Sequence, residues 1–127
     1  GLPRAGWQGL HTLPDGWTQP AGDPQMLVAL PEADMARCRV LGVRLTLQAR
    51  EADAAQFFFR RLGRAEFSEA DSVRKSYWPG LAEGVELEFV ADSRTGFDPL
   101  LRIDPADGAA QFRLTELRVA CRLWAGP

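Results

Sequence analysis

Chemistry in this chain has few places to come from. His11 is the one histidine. A general base or a zinc site needs a histidine beside a partner at defined spacing, and His11 has none. Carboxylates offer more. Glu86 and Glu88 alternate with apolar residues and so share a strand face. Two carboxylates suffice for glycoside hydrolysis, but a solvated face with Arg or Lys opposite is the plainer reading. Asp104 and Asp107 flank Pro105 and precede Gly108. Hard oxygen ligands on such a turn suit a structural calcium; a turn capped by its own Asp side chains is the simpler alternative. The chain contains no Gly-x-Ser-x-Gly, no Gly-rich phosphate loop and no Cys-x-x-Cys. The expectation is a domain without catalytic residues and without a required cofactor.

Aromatic residues beside hydrogen-bonding ones carry a different chemistry. Phe58 shares a strand face with Gln56 and Arg60, and Trp78 shares one with Arg74 and Ser76. A flat aromatic next to polar side chains is how a β-sandwich holds a sugar ring, by stacking plus hydrogen bonds. The competing reading is that these aromatics lie under a loop or a neighbouring domain. Trp78, Phe58, Arg74, Gln56 and Arg60 are therefore the candidate glycan-binding residues.

The elements that must position these groups are strands. Leu41, Val43, Leu45, Leu47 and Ala49 alternate with Gly42, Arg44, Thr46, Gln48 and Arg50, a period of two that only a half-buried strand explains. Further strands are expected at Gln25–Leu30, Ala54–Arg61, Val73–Trp78, Val85–Phe89, around Leu101–Ile103, and at Phe112–Leu123. In Ala54–Arg61, Phe57 and Phe59 must face one side and Phe58 the other. In the last segment Phe112 and Leu114 are out of phase with Leu117, Val119, Cys121 and Leu123, which a bulge near Thr115–Glu116 would reconcile. Residues 32–37 have room for one short helical turn. Residues 1–23, rich in Gly, Pro and Trp, read as an irregular segment laid over the domain with Trp7 or Trp17 as a plug. Seven or eight strands with regular turn signals and no crossover helices predict an all-β, antiparallel, jelly-roll-like sandwich, one domain over residues 1–127.

The bulk properties agree. A chain of 127 residues at net charge −2 can bury a core unaided and has no basic field for nucleic acid. No apolar run is long enough for a membrane helix, and the N-terminus lacks signal-peptide anatomy. Cys38 and Cys121 lie near opposite ends of the sequence. They could bridge only if the terminal strands meet, and buried free thiols are the simpler expectation, which leans towards a reducing compartment.

A family resemblance adds a direction. Asp23-Pro24-Gln25 opens a strand, Gln56-Phe57-Phe58-Phe59 forms a middle one, and Phe67-Ser68-Glu69-Ala70-Asp71-Ser72-Val73-Arg74 follows. Leu101-Arg102-Ile103-Asp104-Pro105 then precedes Gly108 and a final strand. This order, over roughly residues 17–123, resembles a β-sandwich accessory domain of bacterial surface-polysaccharide glycosyltransferases of the O-antigen or rhamnan type. The resemblance implies a sandwich similar to carbohydrate-binding modules, attached to catalytic domains of the same polypeptide in the cytoplasm, with a polysaccharide as partner. Its role there would be glycan binding or, alternatively, structural docking on the parent enzyme.

Overall fold

The computed structural model describes residues 4–80 and 84–122. It is an antiparallel β-sandwich of eight strands: β1 (Arg4–Thr12), β2 (Thr18–Ala29), β3 (Val40–Ala49), β4 (Asp53–Phe58), β5 (Ser72–Tyr77), β6 (Val85–Asp92), β7 (Leu100–Asp104) and β8 (Phe112–Arg122). A single hydrogen-bonded path runs β5-β4-β7-β2-β8-β3-β6, and β1 pairs with β2. One short helix, α1 (Glu32–Arg37), fills the polar connection after β2 and buries Met35. A 3₁₀ turn, Glu69–Asp71, precedes β5.

The strand β2 makes this one path into two layers. Its first residue, Thr18, pairs with Phe112 of β8. Its last four, Met26 to Ala29, pair with Ile103 to Leu100 of β7. Between these contacts lie Pro20, Gly22 and Pro24. The sequence reads as turn chemistry there, and the turn chemistry is present, with Gly22 at φ 64°. It serves as a bend inside a long strand that changes sheets. The segment 1–23, expected to be irregular, instead supplies β1 and the first half of β2. Trp7 of β1 is packed against the core, and Trp17 stacks under the Arg50 guanidinium, 4.1 Å from the ring centre. Opposite the bend, β1 carries a bulge between Gln8 and Leu10. Gly9 sits there at φ 67°, and a Cβ at this position would come 2.5 Å from the Ala21 carbonyl oxygen, so only glycine fits.

The core lies between the layers. Leu41, Val43, Leu45 and Leu47 of β3 are all almost fully buried, as their alternation requires. They meet Phe57 of β4, Leu101 and Ile103 of β7, and Phe89 of β6 in one cluster. The Phe57 and Phe89 rings touch edge-on across the sandwich, centroids 6.1 Å apart. The expected bulge in β8 is present. Thr46 pairs with Glu116 and Leu47 with Leu114, leaving Thr115 extra, with its hydroxyl donating to the Thr46 carbonyl at 3.1 Å. Leu123, assigned from sequence to this strand, lies outside the described residues.

The cysteines overturn an expectation. Leu41 pairs directly with Cys121, and Cys38 lies just before the start of β3, so the two ends of the sequence do meet. Cys38 and Cys121 form a disulfide, Cα atoms 5.7 Å apart. The free-thiol reading is corrected, and the lean towards a reducing compartment loses its basis. The bridge closes a loop with a sequence separation of 83, which in the chain-entropy picture stabilises the fold by on the order of 4 kcal/mol. Replacing both cysteines by serine is expected to lower the unfolding free energy by about that amount in urea titrations. A loss under about 1 kcal/mol would show that β3–β8 pairing needs no staple.

Candidate ligand-binding face

Strand order decides which polar residues become neighbours. Gln56 of β4 lies directly between Arg74 of β5 and Asp104 of β7. Phe58 lies between Ser72 and Arg102. These residues alternate with core residues, so they form the outer face of the β5-β4-β7-β2 layer. Two of the sequence-derived candidates, Gln56 and Arg74, are thus brought side by side.

The face is a network of charge-assisted hydrogen bonds. Arg102 presents Nε and Nη2 to the two oxygens of Asp104, at 2.9 and 2.8 Å, the two-point geometry that suits guanidinium and carboxylate. Asp23, from the bend in β2, lies 3.8 Å from Arg102 Nη2 and accepts from Gln25 at 2.7 Å. Arg74 donates to Asp107 at 2.8 Å. The Gln56 amide nitrogen donates to Glu69 at 2.7 Å and to the Ser72 hydroxyl at 2.9 Å. The Gln56 carbonyl oxygen has no hydrogen-bond partner among the described residues. A polar cavity of about 60 Å³ opens here, lined among others by Asp23, Gln56, Arg74 and Asp107. It has room for a few waters or a hydroxyl substituent, and a sugar ring would have to lie above it.

The turn beside this cavity is held from beneath. Asp53 accepts from the backbone N–H of Asp107 and of Gly108, at 3.0 and 3.1 Å. The buried Tyr77 hydroxyl donates to the Pro105 carbonyl at 3.0 Å, and burial pushes its ionisation well above the usual tyrosine range. Asp104 and Asp107, the calcium candidates, are each committed to an arginine. Among the described residues no group of three or more His, Cys, Asp or Glu side chains is placed to hold a metal ion.

Other candidates fare differently. Phe58 was expected on a wet face. It points outward as its phase requires, but it is only 4% exposed, because the Arg102 guanidinium lies over its ring at 4.5 Å. It cannot stack on a ligand while Arg102 is there. Arg60 lies beyond the end of β4. It donates to the Ala65 carbonyl at 2.7 Å and to Asp98 at 2.6 Å, and it lies over Phe67, so it belongs to a separate structural cluster. Trp78 follows β5 directly and is 64% exposed. Four residues of extended chain put it about 13 Å from Arg74 along the same edge. Glu86 and Glu88 both meet Arg44, at 3.1 and 2.6 Å, on the opposite layer, as a solvated face would have it. His11 is exposed in β1, opposite Gln19.

Sequence reasoning missed Arg102, Asp104 and Asp23 as members of this face, and Asp53 as the support beneath its turn. The outward phase of Arg102 and Asp104 was visible, but nothing local announces that β7 lies beside β4.

No protein-family model and no curated protein matches the sequence. Solved structures share its fold. One described as "CBM4 structure and function" superposes with a TM-score of 0.56 at 10% identity, over 96% of this chain and 79% of that one. "BiXyn10A CBM1 APO" gives 0.51 at 8% identity, over 93% of each chain. A carbohydrate binding module from Cellvibrio mixtus lichenase 5A, in complex with cellotriose, gives 0.50 at 10% identity, over 91% of this chain and 89% of that one. At such identities the likeness establishes the architecture: a jelly-roll β-sandwich of the kind found in carbohydrate-binding modules.

Burial of Asp104 raises its pKa above the ordinary carboxylate value, against the opposing pull of Arg102. The folded state therefore holds this proton more tightly than the unfolded chain does. Its contribution disfavours folding as pH rises from the ordinary carboxylate range through the raised value. Urea midpoints measured across that window should show a less negative pH slope in Asp104→Asn than in the parent protein, whatever the absolute stability of the variant. An unchanged slope would exclude Asp104 as the source.

Proposed function

We propose that this chain is a non-catalytic carbohydrate-binding domain whose ligand lies on the outer face of the β5-β4-β7-β2 layer. The observation that carries the reading is an exposed indole, Trp78, at the margin of a polar sheet face that bears Gln56 and Arg74. Trp78 supplies a stacking surface. The Gln56 carbonyl oxygen and the Arg74 guanidinium supply an acceptor and a donor to sugar hydroxyls. The network of Arg102, Asp104 and Asp23 holds the floor rigid, so that little ordering cost falls on binding. The shared architecture with carbohydrate-binding modules supports the same reading.

The alternative role, docking onto a parent enzyme, calls for a contiguous exposed apolar patch. The large apolar side chains left exposed among the described residues are Leu62 after β4, Trp78 after β5 and Val90 in β6. The finer placement, as an accessory domain of a cytoplasmic polysaccharide-building glycosyltransferase, draws support from the short sequence motifs alone. The Cys38–Cys121 bridge weighs against the cytoplasmic part, since thiol pairs stay reduced there. We therefore place the domain in an oxidising compartment. Among the described residues no helix is long and apolar enough to cross a membrane.

Titration with neutral β-linked gluco- and xylo-oligosaccharides, followed by amide and indole NMR shifts, tests the reading. Shifts should map to Trp78, Gln56 and Arg74, and Trp78→Ala should weaken binding about tenfold, or ~1.4 kcal/mol. Binding that survives Trp78→Ala and Gln56→Ala unchanged would place the ligand elsewhere.

A further inference from the structure

A second concavity lies at one end of the sandwich. It forms where β3 begins, β6 ends and the chain leaves β4. Its volume is about 590 Å³, and it is lined by Arg39, Val40, Arg61, Asp92, Ser93 and Arg94. That is roughly ten times the cavity beside Gln56 and falls in the range of small-ligand pockets. Arg39, Arg61 and Arg94 line it with Asp92, and Asp71 pairs with Arg61, so three cations meet two carboxylates and a local positive excess remains in a chain whose overall charge is −2.

The three arginines are differently committed. Arg39 donates through Nη1 alone, to the carbonyls of Ala36 and Cys38 at 3.4 and 3.3 Å, which fixes its position and leaves Nε and Nη2 without partners. Arg61 is anchored by Asp71 and lies 3.7 Å from Asp92, whose side chain is 86% exposed. Arg94 makes no ion pair or hydrogen bond among the described residues. The wall that carries it is preformed. Ser93 is buried, its N–H donates to the Arg39 carbonyl at 3.0 Å, and its hydroxyl donates to the Gly96 carbonyl at 2.7 Å. The Cys38–Cys121 disulfide adjoins Arg39 and ties the same corner to β8.

We infer that this arginine-lined pocket is a second binding site, one that takes the carboxylate of an acidic saccharide such as a uronate. A guanidinium with its donor edge unfilled recognises a planar carboxylate at two points. Arg39 and Arg94 both offer such an edge, and Arg61 adds charge. The volume admits a monosaccharide unit, not only a free ion. The saccharide part of this inference rests on the carbohydrate-binding reading above; the anion part rests on the pocket alone.

The test compares oligomers of glucuronic acid with neutral gluco-oligomers of the same length, using the full chain and NMR of backbone and arginine side-chain signals. Inorganic sulfate and acetate serve as simple-anion controls. The acidic oligomer is expected to shift Arg39, Arg61 and Arg94 signals, to bind at least tenfold more weakly in Arg94→Ala, and to be displaced by high salt. Arg94 lies on an exposed turn without partners, so this variant should fold; Arg94→Lys should restore part of the affinity. Absence of shifts at millimolar acidic oligomer, or arginine-pocket signals that respond equally to acidic and neutral oligomers, would overturn the inference. Acetate or sulfate binding as tightly as the oligomer would overturn its saccharide part. Neutral-oligomer binding at Trp78 with a silent arginine pocket would sink this inference and leave the earlier reading intact; the reverse pattern would sink the earlier one.

Discussion

Everything in this molecule depends on β2 belonging to both layers. A twelve-residue strand that pairs with β8 at its start and with β7 at its end has to bend between them. Proline and glycine make that bend at residues 20–24, where lost backbone donors can be tolerated. The bend sets the two sheets face to face and so encloses the leucines of β3 and the rings of Phe57 and Phe89. It also brings Asp23 over the outer face, beside Arg102. One irregularity in the backbone therefore determines both the core and the shape of the candidate site.

The outer face shows how charge and apolar surface share space. Phe58 would be a large exposed ring on an otherwise polar sheet. Arg102 covers it while keeping its donor edge on Asp104, so one side chain both buries the ring and fills its own hydrogen bonds. The result is a charged, pre-ordered floor, with the exposed indole of Trp78 off to its edge. Binding on such a floor would use few new side-chain rearrangements.

The disulfide changes the biological setting more than the fold. With Cys38 and Cys121 joined, the start of β3 and the end of β8 are held in register, and the corner that carries Arg39 is stiffened. The same corner holds the concavity lined by Arg39, Arg61 and Arg94. A bridge of this kind persists where thiols are oxidised.

Much of the architecture is legible locally. Strand phase is a property of neighbouring residues, so the alternation of Leu41 to Ala49, the split of Phe58 from Phe57 and Phe59, and the bulge at Thr115 could all be read from spacing. The all-β class followed from the same kind of reasoning. Strand neighbours are not a local property. Gln56 meets Asp104, Arg102 covers Phe58, and Arg39, Arg61 and Arg94 converge only because long separations in sequence are closed by sheet order. The cysteines are the clearest case: 83 positions apart, they pair because β3 and β8 lie side by side. The alternation of side chains determined which residues face outward; only the tertiary pairing decided which of them face each other, because a hydrogen-bonded ladder joins strands without leaving a mark in either sequence.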